Sequence, residues 1–105
     1  MIYGNRYRIA TLNVHGMKRI GKREEVETWM KKKGIHILVI QETAIDTNSR
    51  EMRGEFTWYF SGEKKTIDKW TYGVGIVINN EIVKNIDDII PITDKLIVAR
   101  LKGTL

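Results

Sequence analysis

The feature that most constrains this chain is an apolar run at residues 35–40, which ends abruptly in Gln41, Glu42 and Thr43. Six residues rich in Ile and Val are too few for a buried helix and are typical of a strand covered on both faces. Glu42 is then expected at the carboxyl end of that strand, where open α/β sheets bind ligands. A carboxylate there is a candidate metal ligand or acid/base group, and the alternative is an ordinary polar strand end. His36, inside the run, is expected to be a core histidine rather than a catalyst.

A helix is predicted immediately before this run, over residues 22–33. Val26, Trp29 and Met30 recur at helical spacing and would form one apolar face. Glutamates occupy the early turns, lysines occupy the last turn, and Gly34 follows as the expected C-terminal cap.

A first strand is predicted over residues 7–12, where residue types alternate and β-branched and aromatic side chains are frequent. Strand, helix and strand then form a βαβ unit, so the two strands should be parallel. Parallel strands end at the same edge of a sheet. We therefore expect Asn13 and Glu42, which follow the two strands, to lie close together. That convergence favours a functional role for both residues.

The remainder of the chain is predicted to consist mainly of strands joined by polar connections. The segments are a loop with a short helical piece at 43–55, a strand at 56–61, a charged loop at 62–71, a buried strand at 73–78 and a final strand at 96–101. A hairpin turn is predicted at Asn79–Asn80. Residues 82–92 fit neither periodicity, and Pro91 argues against a central strand there. Gly73 and Gly75 are assigned to close strand packing, because a dinucleotide loop would need a third glycine and a following helix.

The composition indicates one small globular domain over residues 1–105, with 42% hydrophobic and 30% charged residues. The absence of cysteine excludes disulfides and thiolate zinc sites. The sequence shows neither a signal peptide nor an apolar run of ~18 residues. These features predict an intracellular protein, nuclear or cytoplasmic, with no membrane partner.

The net charge of +5 is concentrated in the first third of the chain. Residues 1–33 contain nine Lys/Arg against three Glu, whereas residues 34–105 contain nine against ten acidic residues. Such an asymmetry suits a polyanionic partner, and a solvated basic helix is the alternative explanation.

Three motifs resemble the endonuclease/exonuclease/phosphatase superfamily, and in particular the apurinic-like endonuclease domain of non-LTR retrotransposons and its craniofacial-development-protein-2-like relatives. They are Leu-Asn-Val-His-Gly at 12–16, Gln-Glu-Thr at 41–43 and Tyr-Gly-Val-Gly at 72–75. The resemblance implies an α/β (α+β) fold of the DNase I-like type, a four-layer α/β/β/α sandwich. It also implies phosphodiester hydrolysis supported by Mg²⁺ or Mn²⁺, as in target-site nicking of DNA.

The same resemblance assigns roles to individual residues. Glu42 takes the place of the family's metal ligand, and Asn13 takes the place of the asparagine near the scissile phosphate. His15 stands where several relatives have Asp, so it is expected to contact phosphate or solvent rather than the metal. Further candidates for contact with nucleic acid are Lys18, Arg19, Lys22, Lys64 and Lys65.

The later family motifs Asn-x-Tyr-x-Pro and Ser-Asp-His do not occur in the sequence, and no Asp-x-Asn follows the Tyr-Gly-Val-Gly motif. The resemblance therefore implies the N-terminal half of the fold, with one sheet and a packed helix. The expected partners are DNA and the missing C-terminal half, the isolated chain should be catalytically incomplete, and the uncovered sheet should favour self-association. Two alternatives stay open: a non-catalytic basic module that binds nucleic acid, and a superfamily phosphatase that acts on phosphoinositide or lipid.

Overall fold

The apolar run leads into the second strand of a five-stranded sheet in a computed structural model, which describes residues 7–64 and 71–102. The strands are β1 (Ile9–Asn13), β2 (Ile37–Gln41), β3 (Ser49–Arg53), β4 (Phe56–Ser61) and β5 (Val74–Asn79). Their spatial order is β1-β2-β5-β4-β3. β1 and β2 are parallel, as predicted, and the other neighbouring strands are antiparallel.

One face of the sheet is covered by helix α1 (Lys22–Lys33), whose bounds match the prediction. Gly34 adopts a left-handed conformation with φ 63°, and its N–H bonds back to the last turn, which ends the helix as the C-cap rule expects. Val26 and Met30 are buried against a cluster of sheet residues that includes Leu38 and Trp58.

The opposite face is covered by a second, two-stranded sheet of β6 (Ile86–Thr93) and β7 (Leu96–Leu101). Ile37, Ile76 and Ile78 are buried there, and Ile89 and Ile97 of the small sheet pack against them. The described residues thus form a mixed α/β structure in which a helix, a five-stranded sheet and a two-stranded sheet are layered. The prediction that the strand from the 35–40 run is buried on both faces is confirmed for β2. The expectation of one sheet with a packed helix is wrong, because β6 and β7 form a second sheet over the opposite face.

The predicted loop with a helical piece at 43–55 is wrong in its second half, because Ser49–Arg53 forms strand β3. β3 pairs with β4 through a two-residue connection, Gly54–Glu55, in which Gly54 has φ 51°. The segment lacks an apolar period because β3 lies at the edge of the sheet and directs Glu51 and Arg53 toward α1 as ion-pair partners. Its strand conformation is set by tertiary contacts that a hydrophobic pattern does not record.

The predicted hairpin at Asn79–Asn80 is also wrong. The chain instead enters a 3₁₀ helix, Asn80–Asn85, and the side chain of Asn79 caps it by accepting a hydrogen bond from Glu81 N–H at 2.9 Å. β5 and β6 then belong to different sheets. Pro91 lies in β6, which belongs to the two-stranded sheet, so the objection to a central strand at this position is consistent with the structure.

Two arginines join α1 to β3 and β4. Glu27 accepts from Trp58 Nε1 at 2.7 Å and from Arg53 Nε at 2.9 Å. Arg23 forms a bidentate pair with Glu51 at 2.7 and 2.9 Å. The hydrogen bonds to Glu27 and then Glu24 raise the pKa of Arg53, so this guanidinium stays charged. These polar contacts are directional. They therefore fix the position of α1 on the sheet more closely than apolar contacts alone would.

Within residues 7–64 and 71–102, no helix has the length and apolar character needed to cross a membrane.

We expect Glu27→Ala to lower the free energy of unfolding by about 2–4 kcal/mol, because it leaves a partly buried guanidinium and an indole N–H without their acceptor. Glu24→Ala is the matched control, since Glu24 pairs with the same arginine but has an exposed side chain. Urea denaturation followed by tryptophan fluorescence measures both. Equal losses for the two variants would show that the shielded pair does not hold the helix in place.

Candidate active site

The candidate site lies where β1 and β2 end side by side. Asn13 is in register with Gln41, and Glu42 is the next residue. The loop after β1 runs beside the loop after β2, and backbone hydrogen bonds join the two loops. These run from Val14 N–H to Gln41 O (3.0 Å), from Gly16 N–H to Glu42 O (2.7 Å) and from Met17 N–H to Thr43 O (2.8 Å).

Asn13 and Glu42 are in direct contact, so their predicted proximity is confirmed. Asn13 Nδ2 donates to Glu42 Oε2 at 2.7 Å, and Asn13 Oδ1 accepts from the His15 backbone N–H at 3.1 Å. His15 Nδ1 lies 3.8 Å from Glu42 Oε1. The side chain of Glu42 is 30% exposed and that of His15 is 79% exposed. One oxygen of the Glu42 carboxylate is therefore held by Asn13, and the other lies beside the exposed imidazole of His15.

Three non-glycine residues around this contact have left-handed backbone conformations: His15 (φ 51°), Glu42 (φ 56°) and Ala44 (φ 59°). Such conformations cost about 1 kcal/mol or more each for residues with a Cβ, and they cluster at functional sites. Two of them, His15 and Glu42, are the residues whose side chains approach to 3.8 Å. Sequence reasoning gave no signal for this backbone geometry.

Thr43 and Gly73 stabilise the loop after β2. Thr43 is fully buried, its hydroxyl accepts from Ile45 N–H at 3.2 Å, and its backbone N–H donates to Gly73 O at 3.1 Å. Gly73 has φ 88°, and a Cβ at this position would overlap the Thr43 hydroxyl. A Cβ on Gly75 would lie 2.7 Å from Tyr59 O. Both glycines thus serve close packing, as predicted, and Gly73 also supports the site.

The site fits a hydrated divalent cation held by one carboxylate. Among residues 7–64 and 71–102, no three His, Cys, Asp or Glu side chains are grouped as a metal site. Mg²⁺ commonly uses one or two carboxylates and keeps water and substrate oxygens in its remaining positions. Glu42 can supply such a ligand, whereas His15 is the wrong donor type for a hard cation.

The predicted basic residues lie at different distances from the pair. Lys22 lines a surface cavity of about 360 Å³ together with Asn13 and His15. Lys18 and Arg19 are exposed on the turn before α1. Arg19 pairs with Glu25 at 2.6 Å and thereby lowers the pKa of that carboxyl group, yet its side chain remains 61% exposed. Lys18 and Arg19 are thus exposed, whereas Lys22 is half-buried.

Lys64 is exposed and follows β4, which runs parallel to β2 because each is antiparallel to β5. It therefore lies beyond the same end of the strands as Glu42. Lys65 lies outside the described residues. His36 precedes β2 at the opposite end of the strand. Its Nδ1 accepts a hydrogen bond from Arg8 N–H at 2.8 Å, and its ring packs edge-on against the ring of Tyr7. Its hydrogen bond is satisfied, but the prediction of a core histidine inside the strand is wrong, because His36 is half-buried and precedes the first residue of β2.

Comparisons of the chain with protein-family models, with curated proteins and with solved structures found no match. A function therefore has to be inferred from the geometry of the chain's own side chains and from the resemblance of its motifs.

We expect Gly73→Ala to destabilise the protein more than Gly21→Ala. The two glycines have nearly equal φ angles, 88° and 86°, but a Cβ at Gly21 would meet nothing within 4 Å. Backbone strain alone should cost Gly21→Ala roughly 1–2 kcal/mol, and the clash with Thr43 should at least double that loss at Gly73. Urea denaturation of both variants measures the difference, and equal losses would contradict close packing behind Glu42.

Proposed function

We propose that this chain is the N-terminal half of a DNase I-like, metal-dependent phosphodiesterase domain that nicks DNA, with Glu42 as the metal ligand. The observation that carries the proposal is the 2.7 Å hydrogen bond between Asn13 and Glu42 at the ends of two parallel strands. The resemblance of the Leu-Asn-Val-His-Gly, Gln-Glu-Thr and Tyr-Gly-Val-Gly motifs supports it. The layering of helix, large sheet and small sheet also supports it, because three layers in that order would begin an α/β/β/α sandwich.

Each residue of the pair has a distinct chemical task in this proposal. Glu42 would hold the divalent cation, which when bound polarises a phosphoryl oxygen and stabilises developing negative charge. Asn13 is a positioning residue, because its amide holds one oxygen of Glu42 while the His15 N–H fixes the orientation of that amide. The second N–H of the Asn13 amide is available to a phosphate oxygen.

The basic residues would position the substrate rather than act on it. Lys22 borders the same cavity as Asn13 and His15, so a phosphate above the pair would lie within its electrostatic reach. Lys18, Arg19, Lys64 and Lys65 are proposed to contact more distant phosphates. The proposed substrate is DNA rather than phosphoinositide, because an extended basic surface suits a long polyanion.

Hydrolysis also needs a group that activates water, and within the described ranges 7–64 and 71–102 the imidazole of His15 is the one titratable side chain paired with Glu42. We therefore propose that the C-terminal half of the domain supplies it, and that the isolated chain binds metal weakly without cleaving DNA. The competing proposal is a basic module that binds nucleic acid without chemistry. The two differ in one respect: only the phosphodiesterase requires a metal at Glu42.

We expect Mn²⁺ to broaden the amide NMR signals of residues 13–16 and 42–44 selectively, because the paramagnetic ion would lie beside Glu42. Glu42→Gln should remove this broadening, and Asn13→Ala should weaken Mn²⁺ binding about tenfold, as is usual for loss of a group that orients a metal ligand. The control is Glu55→Gln, an exposed carboxylate at the opposite edge of the sheet. Broadening that persists in Glu42→Gln would exclude the proposed ligand.

We expect the isolated chain to leave supercoiled plasmid DNA intact in Mg²⁺ or Mn²⁺, because the proposal assigns the group that activates water to the C-terminal half of the domain. An agarose-gel nicking assay on wild type beside Glu42→Gln measures this. Metal-dependent nicking that disappears in Glu42→Gln would show that these residues already contain a complete active site.

A further inference from the structure

Ile20 is the most exposed large hydrophobic side chain in the part of the chain that the structure describes. It is 96% exposed, compared with 74% for Met52 and 57% for Ile9. An isolated exposed hydrophobic residue is common on protein surfaces. Ile20 differs from Met52 and Ile9 in its backbone setting, because those two residues lie in strands.

The backbone presents Ile20 at the corner of a tight turn. Lys22 N–H donates to Arg19 O at 3.2 Å, and Gly21 has φ 86° and ψ −6°. These values define a type II turn with Ile20 at its second position, and Gly21 supplies the positive φ that the third position requires. Gly21 is also tied to the first turn of α1, because its carbonyl accepts from Glu25 N–H at 3.1 Å. Hydrogen bonds therefore hold the backbone around Ile20, and its apolar side chain is exposed.

Cationic residues flank Ile20 in the sequence on both sides. Lys18 and Arg19 precede Ile20 and are exposed, and Lys22 follows it and lines the cavity that contains Asn13 and His15. Lys22 thus connects the turn that carries Ile20 to the cavity bordered by Asn13 and His15. Lys18, Arg19 and Ile20 themselves line a second cavity, which also includes Arg23, Glu24 and Glu51.

We propose that Ile20 inserts as an apolar wedge at a base step of duplex DNA, while Lys18 and Arg19 contact the flanking phosphates. This inference rests on the proposed function, since it takes the substrate to be DNA. Proteins that bend or kink DNA use single Ile, Leu, Met or Phe side chains in this way, partly unstacking the bases. A kink beside the site would expose the scissile phosphate to the residues around Glu42.

An anionic membrane is the other partner that combines basic and apolar contacts. One aliphatic side chain buries too little surface for that role, because even a complete myristoyl chain gives only marginal membrane binding. A base step, by contrast, is opened by a single inserted group. The structure therefore favours duplex DNA.

The test uses the full chain and a duplex of about 20 base pairs with 2-aminopurine at a flexible TA step. We expect wild type to raise the fluorescence of 2-aminopurine on binding, because unstacking relieves quenching. Ile20→Leu should retain this rise, and Ile20→Ser should lose it and bind about tenfold more weakly by fluorescence anisotropy. Ile9→Ser is the matched control, since Ile9 is exposed at the opposite end of β1.

An unchanged fluorescence rise in Ile20→Ser, or no binding of the duplex by wild type, would overturn the wedge. Co-sedimentation with phosphatidylserine vesicles that depends on Ile20, without a fluorescence rise on DNA, would also overturn it and assign the turn to a membrane. Glu42→Gln should keep the rise. A Glu42→Gln variant that still binds Mn²⁺ would reject the proposed metal site, whereas an Ile20-dependent rise in the same experiments would still support the wedge.

Discussion

The burial of β2 on both faces is the constraint on which the rest of the structure depends. α1 covers one face of the sheet and the β6–β7 sheet covers the other, so Leu38 and Ile40 pack on one side and Ile37 on the other. A strand in this position cannot carry a charge until it leaves the core. The first polar groups, Gln41 and Glu42, therefore emerge together at its carboxyl end, beside the end of the parallel strand β1.

The sequence predicts those elements whose stability comes from local pattern and burial. The predicted bounds of the helix at 22–33 match the structure because apolar period, charge placement and a glycine cap agree with one another. The strands predicted at 56–61 and 96–101 also have the observed bounds. β3 was missed because its sequence, Ser-Arg-Glu-Met-Arg, contains no apolar alternation. Its contribution is made through Arg53 and Glu51, whose partners on α1 are distant in sequence.

The candidate site was predictable to the same extent. Parallel strands must end at one edge, so the contact between Asn13 and Glu42 follows from the βαβ order. The left-handed backbone of His15 and Glu42 does not, because it depends on the path of two loops that hydrogen-bond to each other. Net charge was a coarse guide as well. Arg23 counts toward the basic first third, but it pairs with Glu51 and covers the Trp58 and Phe60 rings instead of facing a ligand.

The proposed metal site requires Asn13 to hold the carboxylate of Glu42 in an orientation that binds a divalent cation. Anomalous scattering from a crystal of the chain grown with Mn²⁺ measures this. We expect an anomalous peak within coordination distance of Glu42, with the hydrogen bond from Asn13 to the other carboxylate oxygen intact. Mn²⁺ bound elsewhere, or Glu42 turned away from Asn13, would exclude the proposed site.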